Sequence, residues 1–564
     1  MIVVIISWIY YFLLCGVVGL GIEKLLSKWL QGKWKFQTID HTVTGIVGIT
    51  IYAAFFSIFY KVGMIAHLIL LLLAIICAYG RRKEIKAMIP KAKKLIFSWE
   101  GFFFFCFILL IAFFTSRGQF HTDTNIYHAQ NIRLYEEYGI IKGMGNLQLH
   151  YGYNSLYLAF AAVMSLAWLL PWSLHTTTGF IEVILCLYAL HHLKEFKTHK
   201  THLEDAGCIA ILFYALVNVT GSMSPATDYP TMFLSIYMVC VWLRAIEERA
   251  HYSVYALLSV FAVFLGTMKL SAIAMAFVVV YPAFFLLKEK KWKEIGIYIG
   301  LGIIILEPYL IRNVIISGWL IYPFEAIDLF DVPWKIPLEY LLVDAYQIKV
   351  WGRCLFDISL IDMPIKEWLP IWWESQERYA QMFLGANVLG IILAGFNLIY
   401  KILKKIEIRV ELAVLYMGML ASALVWFFMA PFIRYGLGFL LVIPLIGIAS
   451  WFDYEKTGFQ SIATGVLVMC IFFCFCPYVD RYVTEVGVFV KQRLTEPYYI
   501  VQKDYDDGST GSIEIKGNTI YYNDYRKEEG ERNSYHYFPN TAYDDMLRRS
   551  DLVSEDIKDG FVPK

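Results

Sequence analysis

Apolar residues in this chain come in long blocks, and short alternations are rare. Blocks of about 16 to 22 residues, the length that crosses a bilayer as helix, fall near residues 2–22, 43–60, 64–80, 98–115, 175–193, 205–220, 230–246, 253–267, 271–287, 295–313, 381–400, 411–429, 436–451 and 459–477. The pattern predicts an all-α polytopic membrane protein with about 13–14 transmembrane helices. The opening run MIVVIISWIYYFLLCGVVGLGIE has neither a basic n-region nor a small-residue cleavage site, so it reads as a retained helix. Only near the C-terminus does the period change. There the turn signals DDGSTG and KGN accompany the alternating run SIEIKGNTIYY, which predicts a small β-containing domain.

Basic residues in short loops mark the cytoplasmic side. The strongest marker is RRKEIKAMIPKAKK at 81–94, followed by Lys194, Lys197 and Lys200, KEKKWK at 288–293 and KILKKIEIR at 401–409. All four share one side only if the apolar stretch 154–170 does not cross. Asn154, Ser155, Trp168 and Trp172 suit a segment that lies at the outer interface or dips in and returns. Residues 116–153, 318–380 and the tail from 478 then face outward. The expected division is 1–97 as accessory N-terminal helices, 98–477 as a transmembrane core with outer loops 116–153 and 318–380, and 478–564 as an extracytoplasmic tail domain.

Composition agrees with the blocks: 58% of the 564 residues are hydrophobic and 17% charged, against about 45–50% and about 25% in soluble domains. A formal net charge of +1, from 49 Lys and Arg against 48 Asp and Glu, excludes the broadly basic surface of a nucleic-acid binder. The tail is acidic, with 17 acidic and 12 basic residues over 478–564. Nine of the ten cysteines lie in or beside apolar runs and Cys354 is alone in a polar loop, so neither a disulfide framework nor a zinc spacing follows.

Candidate chemistry lies where polar groups interrupt this order. The loop SRGQFHTDTNIYHAQNIRLYEEYGIIKGMGNLQLHYGYNS holds Asp123, His128, Arg133 and His150, and is too long for a mere connector. Asp123 is either an N-cap for the helical segment that follows or a general base. Asp228 in SPATDYP is either a turn residue before Pro230 or a second acid. Lys269 in GTMKLSA sits between two short apolar runs, where a cation must reach water or meet an anion. Arg312 in EPYLIRN and Arg434 in APFIRYG occupy similar outer ends, as snorkelling anchors or as phosphate ligands. A carboxylate beside cations at a membrane surface suits glycosyl transfer from a lipid phosphate: the acid takes the acceptor proton, and the cations neutralise the departing phosphate. No cofactor is required, although His121, Asp123 and His128 in HTDTNIYH could ligate a divalent ion.

The order of these motifs resembles the C-type (GT-C) integral membrane glycosyltransferases. An early acid in a long first outer loop (HTDTNIYH), an acid before a span (SPATDYP), a lysine between short spans (GTMKLSA), PYLIRNVIISGWLIYP and a late arginine (PFIRYG) cover about residues 98–450, and GNLQLHYGYNSLYL looks like a signature of a little-characterised bacterial branch. The resemblance implies an inverting transfer, on the extracytoplasmic face of a bacterial plasma membrane, from a polyprenyl-phosphate-linked sugar to a glycan or lipid-linked acceptor during cell-surface glycan assembly. It implies Asp123 as the catalytic acid of loop one and Asp228 as a secondary acid, with His128 and His150 assisting in positioning. Lys269, Arg312 and Arg434 would contact the donor phosphate. The three extra N-terminal spans and the acidic tail depart from the minimal core of that family.

Two other readings compete. A transporter or flippase for lipid-linked or small polar substrates would show inverted repeats and mid-membrane charges, whereas this chain has no repeat and its charges sit at span ends. An outer-face polysaccharide polymerase or ligase breaks the same kind of sugar–phosphate bond. Trp334, Trp351, Trp368, Trp372 and Trp373 suit either sugar stacking or interfacial anchoring, and EWLPIWWESQERY reads first as an interfacial amphipathic helix.

Overall fold

The computed structural model describes residues 1–30, 34–118, 123–196, 199, 202–452, 487–488, 490–491, 500–524, 534–542 and 544–564. In chain order the helices are α1 Ile2–Leu26, α2 Thr38–Phe59, α3 Met64–Gly80, α4 Arg82–Ile96, α5 Trp99–Thr115, α6 Ala129–Glu137, α7 Met144–Leu147, α8 Leu156–Met164, α9 Thr177–Leu193 and α10 Leu203–Val217. They continue as α11 Asp228–Glu247, α12 Tyr252–Met268, α13 Val280–Lys288, α14 Trp292–Ser317, α15 Leu338–Gly352, α16 Ile365–Glu374, α17 Arg378–Leu403, α18 Val410–Met429 and α19 Ile433–Ala449. Helix occupies every expected apolar block except 459–477, which lies outside the described residues.

Among the described residues eight helical stretches are long and apolar enough to cross a membrane, and the bent pair α3–α4, with an 87° break, makes a ninth. That is fewer than the fourteen crossings expected. The difference lies mainly in helices such as α5, α9 and α12, which have 17 residues each, and α10, which has 15. At 1.5 Å per residue these reach about 22–26 Å, short of a 30 Å hydrocarbon core. Leu270–Lys288 does reach the length, because its first half is a tighter 3₁₀ helix over Leu270–Val279. Helices α1 and α2 are pressed together through glycine. A Cβ on Gly19 would lie 1.7 Å from the His41 carbonyl oxygen, and one on Gly45 1.8 Å from that of Cys15.

Polar contacts sort the helix ends into two sets. At one end Glu100 bonds Lys194, Arg244 bonds Asp40 at 2.7 Å, Leu203 N donates to Glu247, and Trp242 Nε1 donates to the Glu411 carbonyl. This end carries Lys194 and the basic stretches at 81–94, 288–293 and 401–409. At the opposite end Trp8 Nε1 donates to Thr176 O, Asn154 Nδ2 to Tyr309 O, and Ser155 Oγ to Met268 O. Helix α8 belongs wholly to the second set: Tyr157 bonds Thr177 and Thr178, and nine residues rise only about 13.5 Å. The stretch 154–170 therefore begins and packs at this one end of the bundle, through the short helix Leu156–Met164.

The tail forms a hairpin of β1 Thr510–Ile515 and β2 Asn518–Asn523, with β3 Asn540–Thr541 parallel to β2, and a second pair of β4 Ser550–Leu552 and β5 Phe561–Pro563. Lys516 and Gly517, both at positive φ, make the two-residue turn that matches strand twist. The tail is not free-standing. Ile520, Leu547, Leu552 and Phe561 share one apolar core with Leu134, Ile141, Met144 and Leu147 of the first outer loop. Arg133 and Gln130 donate to the carbonyls of Tyr535 and Ser534, and Tyr151 to that of Asn540.

Candidate functional site

The first outer loop enters its helix through a π-turn over Thr124–His128, and Asp123 stands immediately before it. The Asp123 side chain makes no cap hydrogen bond to this turn. It accepts instead from Arg434 Nη2 at 2.6 Å, across 311 residues of sequence. Thr124 Oγ1 and Ser224 Oγ lie 2.5 Å apart and tie the turn to the loop before α11. The capping reading of Asp123 therefore gives way to long-range pairing.

Asp228 is the first residue of α11 and its carboxylate bonds Lys269 Nζ. Its other oxygen lies 3.5 Å from Arg434 Nε. Lys269 is extended between α12 and the 3₁₀ helix, a break in regular backbone that turns its side chain toward α11. Arg434 sits in the first turn of α19, and Tyr435 beside it completes the cluster. Lys269 Nζ lies 3.7 Å from the Tyr435 ring centroid, and Arg434 donates to its hydroxyl at 3.1 Å. Two acids and two cations thus meet at the end away from the basic loops. Asp228 is 4% exposed, whereas Asp123 is 23% and Arg434 32% exposed, so the accessible edge is the Asp123–Arg434 pair.

Arg312 does not join them. It is fully buried in α14, where it donates to Ser57 Oγ at 2.5 Å, Gly139 O at 3.2 Å and Asn154 Oδ1 at 3.3 Å, with its guanidinium 3.9 Å from the Tyr135 ring centroid. Here it fastens α2, the α6 turn and the start of α8 to α14, and it presents nothing to a phosphate. His128 and His150 flank the cluster through Tyr127, whose ring lies 4.1 Å from His128 and stacks on His150 at 5.2 Å. Of the possible metal ligands in HTDTNIYH, His121 lies outside the described residues.

Three participants escaped the sequence reading. Tyr127 and Tyr435 bracket the ion pairs, and burial together with the charge of Asp123 raises the Tyr127 phenol well above its usual pKa. Tyr435 follows Arg434 directly in PFIRYG, so the motif itself contained that signal. Asp344 of α15 accepts hydrogen bonds from Tyr153 at 2.7 Å and Tyr322 at 2.9 Å, and burial raises its carboxyl despite His150 nearby. Within LEYLLVDAYQIKVWG nothing distinguishes it from an ordinary helix acid.

The tryptophans divide. Trp368 and Trp372 of α16 are buried against Trp426 and Phe427, with Trp372 Nε1 donating to Pro431 O; Trp334 bonds Val314 O and packs under Lys142. Of the five singled out from the sequence, Trp351 and Trp373 keep substantial exposure. A separate cavity of about 520 Å³ opens at the same end of the bundle, lined among others by Lys61, Arg133, Glu136, Trp168, Trp172 and Tyr535.

No curated protein and no solved structure matches the chain. A family model described as Domain of unknown function (DUF8201) matches residues 1–441. That stretch includes the three N-terminal helices as well as Asp123, Asp228, Lys269 and Arg434, and it stops before the tail. The chain belongs to the DUF8201 family.

Proposed function

We propose that this protein is a multi-pass membrane glycosyltransferase that moves a sugar from a polyprenyl-phosphate donor to a glycan or lipid-linked acceptor at the extracytoplasmic face, with inversion. The observation that carries the reading is the meeting of Asp123, Asp228, Lys269 and Arg434 from four distant stretches of chain. Desolvated charges at the end of apolar helices are costly unless they are used.

The cluster is neutral as it stands, each cation holding an acid. A phosphate entering beside Arg434 competes with Asp123 for the guanidinium, whose planar fork suits two phosphate oxygens. Donor binding then frees the Asp123 carboxylate to take the proton from the acceptor hydroxyl as the glycosidic bond forms. Lys269 and Arg434 stabilise the phosphate charge as the sugar–oxygen bond breaks. Buried Asp228 keeps both cations oriented, a positioning role. The same arrangement serves an outer-face polymerase or ligase, which differs in acceptor alone. A transporter reading gains nothing from it, because the charges gather at one end of the helices.

Replacing Asp123 by Asn retains shape and removes the base. A general base is typically worth 10²–10⁴-fold, so cells relying on Asp123→Asn are expected to lose the surface glycan that depends on this protein. Undiminished glycan with normal levels of the variant would count decisively against Asp123 as base.

A further inference from the structure

At the basic end of the bundle a second polar cluster takes no part in the proposed transfer. Helix α9 ends in His191 and His192, and α10 begins after His202 with Glu204 and Asp205. The connection brings three imidazoles onto one carboxylate. His192 Nε2 lies 3.0 Å and His199 Nδ1 2.8 Å from Asp205 Oδ1, and His202 Nδ1 lies 2.6 Å from Asp205 Oδ2. The rings of His192 and His199 are 4.5 Å apart. Asp205 is fully buried, and His202 Nε2 is buried without a hydrogen-bond partner.

We propose that His192, His199 and Asp205 form a binding site for a divalent transition-metal ion of the zinc type. Their ligand atoms lie within 4.8 Å of one another. Metal bonds of about 2.0–2.2 Å in tetrahedral geometry separate ligand atoms by about 3.3–3.5 Å, so an ion needs shifts of only a few tenths of an ångström along the two nitrogen–oxygen contacts. Two imidazoles and one carboxylate make a donor set that zinc favours, with a fourth position left for water. The outer contacts have the form that holds such ligands in place. His202 holds the second oxygen of Asp205, and the other nitrogen of His192, Nδ1, faces Glu204 Oε1 at 3.7 Å. Glu204 in turn accepts from Tyr188. The bound ion closes the α9–α10 connection, a short polar link between two apolar helices.

The test uses the full chain purified in detergent, incubated with ZnCl₂ and dialysed, with zinc measured by elemental analysis and stability by thermal unfolding. The expected result is about one zinc per chain, removed by a chelator with a fall in melting temperature. His199 is in the connection and partly exposed, so His199→Ala is expected to fold while losing retained zinc by at least tenfold and losing the chelator effect; Asp205→Asn should behave alike. His536, which bonds Asp504 and Asp507 at the opposite end, supplies the control, and His536→Ala should retain the zinc. Failure of the wild-type chain to retain zinc, or equal retention by His199→Ala, would overturn the proposal.

Discussion

Arg312 and Arg434 are both arginines near the same end of the bundle, and their surroundings give them opposite uses. Arg434 faces two carboxylates with a third of its side chain exposed, whereas Arg312 is enclosed by a hydroxyl, a carbonyl, an amide and an aromatic ring. Replacing Arg312 by Met removes the buried donor to Gly139 O and Asn154 Oδ1, at about 1–3 kcal/mol each, and leaves Ser57 Oγ with Ala54 O. Arg312→Met is therefore expected to lower the melting temperature markedly, whereas Arg434→Met should lower it less, because its partner Asp123 is partly exposed, and abolish glycan production; the reverse pattern would reassign both residues. Glu136 gives a pH dependence. Burial raises its carboxyl to about 7 although Ser173 donates to it. Between about pH 4.5 and 7 the folded state then holds more protons than the unfolded one, so its contribution to stability falls as pH rises through that window. Melting curves should show Glu136→Gln exceeding wild type above pH 7 and converging with it below about 4.5. A gap independent of pH would rule that out. His175, lowered to about 3 by burial, acts in the opposite sense as pH falls below its usual 6.5.

At the scale of elements, the apolar blocks were legible because hydropathy and length are summed over many residues. The turn at GTMKLSA is where the pattern put it, with α12 ending at Met268 and the next helix beginning at Leu270. Burial against neighbours favours the same apolar residues as lipid does, so hydropathy does not tell a span from an enclosed helix; α11, long enough to cross, is itself wholly enclosed by protein. The hairpin at SIEIKGNTIYY was also legible, through period and turn chemistry, but its docking on residues 130–151 was not. That contact depends on backbone carbonyls, and the tail is held a second time by Gln502, whose side chain donates to Thr115 O and His175 O and accepts from His175 N. Gln502→Ala leaves three buried backbone groups without this partner and is expected to cost about 2–4 kcal/mol. Limited proteolysis should then cleave the tail before the helical bundle, and simultaneous loss of both would show that the tail is not held in this way.

Over the whole molecule, the near-zero net charge conceals a division between two ends. Basic loops gather at one, along with the histidine–aspartate cluster of the α9–α10 connection, which the sequence reading took as charge alone because its ligands are spread over residues 192–205. The acid–cation site lies at the other, the end where residues 134–151 and the tail share a core. Four of the five charged residues singled out from the sequence meet there because Lys269 and Arg434 each interrupt an apolar run at a helix end, where a charge needs a partner, and Asp123 and Asp228 supply the partners. The fifth, Arg312, interrupts a run equally but finds its partners within the packing, a distinction that hydropathy does not contain. The account stands or falls on chemistry at Asp123. In proteoliposomes holding the purified protein, polyprenyl-phosphate-linked sugars and an acceptor glycan, it predicts liberation of polyprenyl phosphate by the wild-type chain and at least about 10²-fold slower liberation by Asp123→Asn. Equal rates for the two proteins, or translocation of intact donor across the bilayer without liberation, would contradict it.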